Sequence, residues 1–239
     1  MADGGEVAVA RRAFLRASGT VVGALALGAA ALPGGATPRG AMAPGARRDP
    51  DLTPEAALRM LYDGNARFAQ GQSLAPHRDL ARLREVAPKQ APFAAFLGCA
   101  DSRVPIEIVF DQGFGDLFVT RIAGNVADPS IIGSLEFGTL VLGARVLFVL
   151  GHTNCGAVAA TMKGDAVPGQ ISTLYQHIRP AVKAAAGNLD TAIAGNVRNQ
   201  AEVLAESSPV IGALVTEGKL LVAGGVYDLG TGRVTPVAL

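Results

Sequence analysis

The sequence predicts an α/β fold, with a mostly parallel central β-sheet that is flanked by helices and preceded by an amino-terminal helical arm. First, short apolar segments alternate with segments of helical periodicity along residues 51–239. Second, these segments are continuously apolar, as parallel strands are when helices cover both faces of their sheet. Third, 49% of the residues are hydrophobic, only 5% are aromatic and none is tryptophan, which predicts a core built mainly of Ala, Val, Leu and Ile.

The first helix of the arm has clear end signals. Thr53 is a helix N-cap residue, Pro54 suits the first helical position, and Glu55 places an acid in the first turn. The apolar face continues to about Gln70, and Gly71 ends the helix. Further helices are predicted around Leu80–Val86, over Ser130–Leu142, from at or near Cys155, and over 170–186, 189–207 and 208–218.

Apolar runs predict the strands, which are Phe93–Gly98, Asp116–Thr120, Arg145–Leu150 and Leu220–Ala223, followed by a hairpin of Val226–Leu229 with Arg233–Val237. Ligands of open parallel sheets bind beyond the carboxyl ends of the strands. Cys99 directly follows the first strand, and His152 follows the third. The two positions are therefore expected to contribute to one site.

Residues 1–50 read as a targeting segment, and residues 51–239 as one domain large enough for a core. Arg11–Arg16 resembles a twin-arginine export signal, and a weakly apolar stretch rich in Ala and Gly follows over 17–32. This stretch is short for a membrane span, which needs about 20 strongly apolar residues. We therefore expect engagement of the export machinery and an exported, extracytoplasmic protein; a tether formed by an uncleaved signal is the alternative.

Charge gives no support for a nucleic-acid partner. The formal net charge is +1, and the domain contains no dense basic run. Its glycines also form no dinucleotide or nucleotide fingerprint.

Two short motifs carry the chemistry: Cys99-Ala-Asp101-Ser-Arg103 and His152-Thr-Asn-Cys155. Two thiolates and one imidazole form a known catalytic zinc set, with the fourth position open to water or substrate. A helix that begins near Cys155 would favour the thiolate of that residue. Because the chain has only two cysteines and an export signal, a single disulfide is the rival interpretation.

Asp101 has two candidate roles. It could be the fourth zinc ligand, which closes the site, or it could pair with Arg103 through a bidentate fork and leave that position to water. In the open form it would accept a hydrogen bond from zinc-bound water or hydroxide, a nucleophile made at near-neutral pH. Since two thiolates cancel the charge of zinc, we expect activity to rise toward alkaline pH.

The two motifs together resemble those of the β-class carbonic anhydrases. The similarity extends over roughly residues 52–239 and includes Gly124-Asn125, Ser134–Phe137 and Gly225–Asp228. The resemblance implies reversible hydration of CO2 to bicarbonate by attack of zinc-bound hydroxide. It also implies a Zn²⁺ cofactor on the two cysteines and His152, with Asp101 and Arg103 as the catalytic dyad.

The same resemblance implies a substrate pocket and an oligomer. Gln90 matches a glutamine that reaches the substrate across a dimer interface, Phe118 and Phe137 match apolar lining residues, and Ala123 falls where a larger aliphatic residue is common. A homodimer or homotetramer is expected.

The resemblance also bears on regulation. Some members of the family carry an inhibitory bicarbonate site built from Trp, Arg and Tyr. Here Arg121 and Tyr227 match, but Phe96 replaces the tryptophan, which favours a site without this regulation.

Three other functions remain open at this point. A hydrolase of a CO2-like molecule, such as CS2 or COS, could use the same nucleophile. A non-catalytic zinc- or bicarbonate-binding protein would keep Asp101 permanently on the metal. A structural disulfide protein would join Cys99 to Cys155.

Overall fold

The computed structural model of the protein describes residues 51–239, so the predicted export signal lies outside the described residues. Five strands form one sheet in the order β2-β1-β3-β4-β5. They are β1 (Ala94–Gly98), β2 (Leu117–Arg121), β3 (Val146–His152), β4 (Leu221–Tyr227) and β5 (Val234–Pro236). The pairs β1–β2, β1–β3 and β3–β4 are parallel, and only β5 is antiparallel to its neighbour β4. The predicted fold class is therefore confirmed.

Eight α-helices surround this sheet in the described part of the chain. They are α1 (Pro54–Ala69), α2 (Leu80–Val86), α3 (Ile106–Val109), α4 (Pro129–Glu136), α5 (Gly156–Lys163), α6 (Ile171–Ala184), α7 (Leu189–Ser207) and α8 (Pro209–Thr216). Thr53 caps α1 as predicted, because its hydroxyl accepts a hydrogen bond from the Ala56 amide at 3.2 Å. Within residues 51–239, none of the helices has both the length and the apolar composition needed to cross a bilayer.

Strands β1 and β3 are buried along their whole length, as their continuously apolar sequences predict. On one face of the sheet, a cluster of Phe96, Phe110 and Phe148 packs with α1, and the Phe96 and Phe148 rings lie 5.3 Å apart. On the other face, aliphatic side chains of α7 such as Val197 and Leu204 complete the core. The three buried phenylalanines Phe96, Phe110 and Phe148 thus lie together on one face of the sheet.

The fourth strand is longer than the predicted Leu220–Ala223, because β4 runs continuously through Gly224 and Gly225. A Cβ atom at Gly224 would lie 2.6 Å from Val197 of α7, and one at Gly225 would lie 2.7 Å from Val234 of β5. These glycines are required by close packing and not by a turn. The predicted terminal hairpin itself is confirmed, since β5 pairs with the end of β4.

The helix predicted over Ser130–Leu142 also differs in the structure. The α-helix ends at Glu136, and Phe137–Val141 continue as a π-helical turn in which the Leu142 amide donates to the Phe137 carbonyl at 3.0 Å. A Cβ atom at Gly138 would lie 2.7 Å from the Phe118 ring. The wider turn therefore presses the glycine backbone against the aromatic ring of β2, a tertiary contact that helical periodicity does not predict.

Candidate metal centre

The carboxyl ends of β1 and β3 bring the two motifs together. Gly98 pairs with Leu150 in adjacent parallel strands, so Cys99 and His152 emerge side by side. The ligand atoms of Cys99, His152 and Cys155 all lie within 4.8 Å of one another. Their exposed fractions are 4%, 0% and 1%, and both cysteines are free thiols. The geometry thus favours a metal cluster over the rival disulfide.

His152 is oriented by the backbone that follows it. Its Nδ1 atom lies 2.9 Å from the Thr153 carbonyl oxygen, a contact in which Nδ1 must donate. Thr153 is itself fixed, because its amide donates to the Tyr227 carbonyl at 2.9 Å and its hydroxyl accepts from the Leu229 amide at 3.0 Å. The Nε2 atom consequently presents its lone pair to the two sulfurs, and it is buried without a hydrogen-bond partner.

Cys155 is the N-cap residue of α5, which confirms the helix predicted to begin there. The neighbouring Cys99 and burial nevertheless raise the pKa of Cys155, although the first-turn amides of α5 act in the opposite direction. The amides at the start of the helix thus favour the Cys155 thiolate, as expected, but the proximity of the second sulfur and burial outweigh them.

Cys99 is the thiol of this pair that ionises first. The adjacent Cys155 thiol, with further contributions from His152 and the Gly124 amide, lowers the pKa of Cys99 to about 4 despite burial. The Gly124 amide donates to the Cys99 sulfur at 3.3 Å. The Arg121 guanidinium donates to the Cys99 carbonyl at 2.9 Å and also to the Asp101 carbonyl. Arg121 thus fixes the backbone of the loop that carries both residues.

Asp101 pairs with Arg103 and is not a fourth member of the cluster. Arg103 donates to the carboxylate from its backbone amide at 2.9 Å, from Nε at 3.0 Å and from Nη2 at 2.8 Å. These bonds hold the pKa of Asp101 well below its usual range. Its Oδ2 atom still lies 3.8 Å from Nε2 of His152, so the carboxylate borders the metal cluster while the arginine holds it.

Four further residues were predicted to line a substrate pocket. In the structure they lie farther apart than the three residues of the cluster. The rings of Phe118 and Phe137 lie 6.3 Å apart, and Phe137 is 46% exposed. Ala123 is half-buried and begins a 3₁₀ turn, Ala123–Asn125, directly after the Arg121 segment. Gln90 is exposed between α2 and β1, and no contact within the described part of a single chain joins it to the cluster.

Sequence reasoning missed the polar groups behind the cluster. Asn196 and Gln200 of α7 are buried, and Asn196 contacts the Gly124 turn from a position 72 residues away in the chain. A polar residue in a helix is usually exposed, so its position alone gives no signal of this contact. The Gly124 amide was also missed, because a backbone donor leaves no residue type to recognise.

Comparisons with known proteins agree with this geometry. A family model described as carbonic anhydrase matches residues 94–234. The carbonic anhydrase of Mycolicibacterium smegmatis is 38% identical over 193 residues, which cover 77% of this chain and 94% of that relative. The structure of the β-carbonic anhydrase CcaA matches with a TM-score of 0.60 at 25% identity, covering 75% of this chain and 86% of CcaA.

A further structural match supports the fold alone. One of the β-carbonic anhydrases of Sordaria macrospora, which are described as tetrameric, matches with a TM-score of 0.61 at 23% identity. The match covers 77% of this chain and 98% of the fungal chain.

Proposed function

The chain belongs to the β-class carbonic anhydrases, and from this premise we propose that it catalyses zinc-dependent, reversible hydration of CO2 to bicarbonate and a proton. The observation that carries the proposal is the convergence of Cys99, His152 and Cys155 beside an aspartate that its own arginine holds. A non-catalytic protein closed by Asp101 is disfavoured by this pairing.

The residues present fit Zn²⁺. Two sulfurs and one imidazole nitrogen are donor types that bind zinc better than they bind harder cations. Three protein ligands leave a fourth position of the metal for the reaction. The buried Nε2 atom of His152, which lacks a hydrogen-bond partner, is a further argument for a metal ligand there. When bound, Zn²⁺ is a Lewis acid that lowers the pKa of water and so supplies a nucleophile.

In this proposal, Asp101 orients the reacting water. An ionised carboxylate is only an acceptor of hydrogen bonds, and its low pKa keeps Asp101 in that form across the physiological range. Arg103 occupies both carboxylate oxygens on one side, so their remaining lone pairs can accept a proton-bearing group beside His152. The arginine therefore has two tasks: it keeps the aspartate ionised and it holds the aspartate away from the ligand position.

A second copy of the chain would complete the pocket. Phe118 lies on β2, which is an edge strand of the described sheet, and Phe137 beside it is 46% exposed. We propose that a homodimer, or a tetramer of the kind named for the Sordaria enzymes, covers this wall. Gln90 would then contact the substrate of the neighbouring subunit, while Ala123 and the two phenylalanines line the apolar side.

Export remains a separate proposal that rests on the sequence of residues 1–50. Fusion of those residues to a reporter that requires folded translocation would test it. Replacement of Arg11 and Arg12 by lysine is expected to abolish export of the reporter.

The deciding experiment is stopped-flow hydration of CO2 by the purified protein, with its zinc content measured on the same sample. We expect activity that scales with zinc. Cys155→Ser should lose both, because ligand loss removes the metal and the stability linked to it. Hydrolysis of CS2 or COS without hydration of CO2 would instead support the alternative hydrolase. Full zinc content without activity on any of these substrates would overturn the enzymatic proposal.

A further inference from the structure

A buried pair of amides on α7 lies directly behind the metal centre. We infer that Asn196, supported by Gln200, is a positioning residue that holds the Gly124 amide against the Cys99 sulfur and thereby sets the strength and character of the metal–thiolate bond. The inference rests on the proposed metal site and extends it to residues that do not touch the metal.

Gly124 has no side chain that could hold the turn Ala123–Asn125 in place. Gly124 has a positive φ of 75°, and a Cβ atom there would lie 2.7 Å from Ile178 and 3.1 Å from Ala157. Glycine is therefore required by both conformation and space. The turn is closed by a hydrogen bond from the Asn125 amide to the Ile122 carbonyl at 2.9 Å. Since glycine is also the least restrained residue, contacts from outside the turn further restrict the direction of its amide toward Cys99.

Asn196 provides that contact. Its Nδ2 atom donates to the Gly124 carbonyl at 2.9 Å, and the side chain is only 1% exposed. This carbonyl belongs to the peptide after Gly124, whereas the amide that donates to Cys99 belongs to the peptide before it. Asn196 thus fixes the orientation of Gly124 rather than polarising the N–H directly. Without Asn196 the turn would have to move for its buried carbonyl to find another donor.

Gln200 fixes the direction of the Asn196 amide. Its Nε2 atom donates to Oδ1 of Asn196 at 3.2 Å and to the His177 carbonyl at 3.1 Å, and its Oε1 atom accepts from the Ala127 amide at 2.8 Å. Because Oδ1 of Asn196 already accepts, its Nδ2 atom is the group that faces Gly124. The chain of contacts therefore runs from Gln200 through Asn196 and Gly124 to the Cys99 sulfur.

Hydrogen bonds to a thiolate reduce the charge it donates to a metal, and loss of such outer contacts typically costs about 10-fold to 100-fold in metal affinity. Asn196→Leu keeps the branched shape and the number of heavy atoms of the side chain but removes the donor to Gly124. We expect metal affinity to fall by at least about tenfold. In the Co²⁺-loaded protein, the thiolate-to-metal charge-transfer band should shift while the stoichiometry stays unchanged.

Asn199→Leu is the matched control. Asn199 lies on the same helix, and in the amide orientation that satisfies both of its polar atoms it donates to the Gly195 carbonyl and accepts from the Ala181 amide, each at 3.2 Å. This variant can lower stability, but it should leave the Co²⁺ spectrum and affinity as in the unmodified protein. Gln200→Leu should shift the band in the same direction as Asn196→Leu and by less, because it acts through Asn196.

The experiment is a Co²⁺ titration of the full chain and these variants, followed by absorption and by competition with a chelator. If Asn196→Leu fails to fold, Asn196→Ala replaces it, since this variant removes the donor to Gly124 and adds neither bulk nor charge to the buried position. A Co²⁺ affinity of Asn196→Leu within twofold of that of the unmodified protein, together with an unchanged charge-transfer band, would overturn the inference. An equal shift of the band in Asn199→Leu would also overturn it. Thiolate–cobalt bands without CO2 hydration would overturn the proposed function, but the variants would still decide the role of Asn196.

Discussion

Asp101 and Asp111 both pair with arginine in the same stretch of chain, but their surroundings differ. The Asp101 side chain is 18% exposed, and all its hydrogen bonds come from Arg103 of the same loop. The Asp111 side chain is fully buried and accepts from Arg67 of α1 at 2.8 Å and from the amides of Leu74 and Ala75 at 3.0 and 2.9 Å.

This difference fits the role proposed for Asp101 beside the reacting group and a scaffolding role for Asp111. A carboxylate that a single nearby arginine holds can change partners without disturbing the core, which suits a group beside a metal. Asp111 instead joins α1, α3 and the segment before α2, where Ala75 and His77 have positive φ values of 50° and 55°. Because one carboxylate fixes three segments, its loss must be a matter of stability rather than of chemistry.

The sharpest way to break this comparison is Asp101→Asn. The amide keeps the size of the side chain but loses the charge that pairs with Arg103 and accepts from the reacting group. We expect kcat for CO2 hydration to fall by about 10²-fold to 10⁴-fold, with zinc content and melting temperature nearly unchanged. Stopped-flow assays and metal analysis test this, and turnover within threefold of the unmodified enzyme would refute the assignment.

Asp111→Asn should have the opposite profile. The NH2 group of the new side-chain amide would face the N–H groups of Arg67, Leu74 and Ala75, which now donate to the carboxylate. We therefore expect the free energy of unfolding to fall by about 2–3 kcal/mol. That loss corresponds to a melting temperature lower by about 4–12 °C. Activity per folded, zinc-loaded molecule should stay within twofold. Calorimetry of the loaded protein is the measurement, and an unchanged melting temperature would show that Asp111 has no scaffolding role.

A smaller effect is expected from Arg103→Lys. Lysine keeps the positive charge but cannot form the two-pronged contact that Nε and Nη2 make with Asp101. We expect turnover to decrease by about tenfold, without the loss of stability that is expected for Asp111→Asn. If Arg103→Lys proves as inactive as Asp101→Asn, the fork geometry itself is essential, and the aspartate cannot act with a point charge as its partner.

The smallest expected effect is the loss, at acidic pH, of the stability that Asp111 contributes. Burial by itself raises the pKa of Asp111, but its bonds to the amides of Leu74 and Ala75 and to Arg67 lower it overall. The stabilisation is therefore fully present above the ordinary value of about 3.9 and is lost as pH falls through the lower folded value. The stability gap between the unmodified protein and Asp111→Asn should stay constant from about pH 7 to about pH 5 and narrow below about pH 4 in urea titrations. A stability difference that increases as the pH falls would contradict the expected direction of this pH dependence.

The convergence of Cys99, His152 and Cys155 was predictable from the sequence because its signals are local. Cys99 and His152 each follow an apolar strand, and the topology of parallel sheets then brings the strand ends together. The role of Asp101 was left open between two partners, since spacing permits both. The structure pairs it with Arg103, a contact that depends on the conformation of the loop after β1.

What could not be predicted depends on contacts between distant segments. Arg67 reaches Asp111 across 44 positions, and Asn196 reaches Gly124 across 72. The glycines of β4 resemble turn residues until Val197 and Val234 are seen to pack against them. In each case the residue type is explained by a neighbour that periodicity and capping rules do not identify.

The pairing of His152 with Tyr227 has a consequence for when the protein can acquire its metal. His152 ends β3, and its turn is fixed by β4, a strand that is synthesised much later in the chain. All three candidate ligands leave the ribosome before the contacts with β4 that orient the imidazole can form. Parallel pairings between such distant segments form slowly. Metal capture is therefore expected to follow completion of the sheet rather than to begin on the nascent chain.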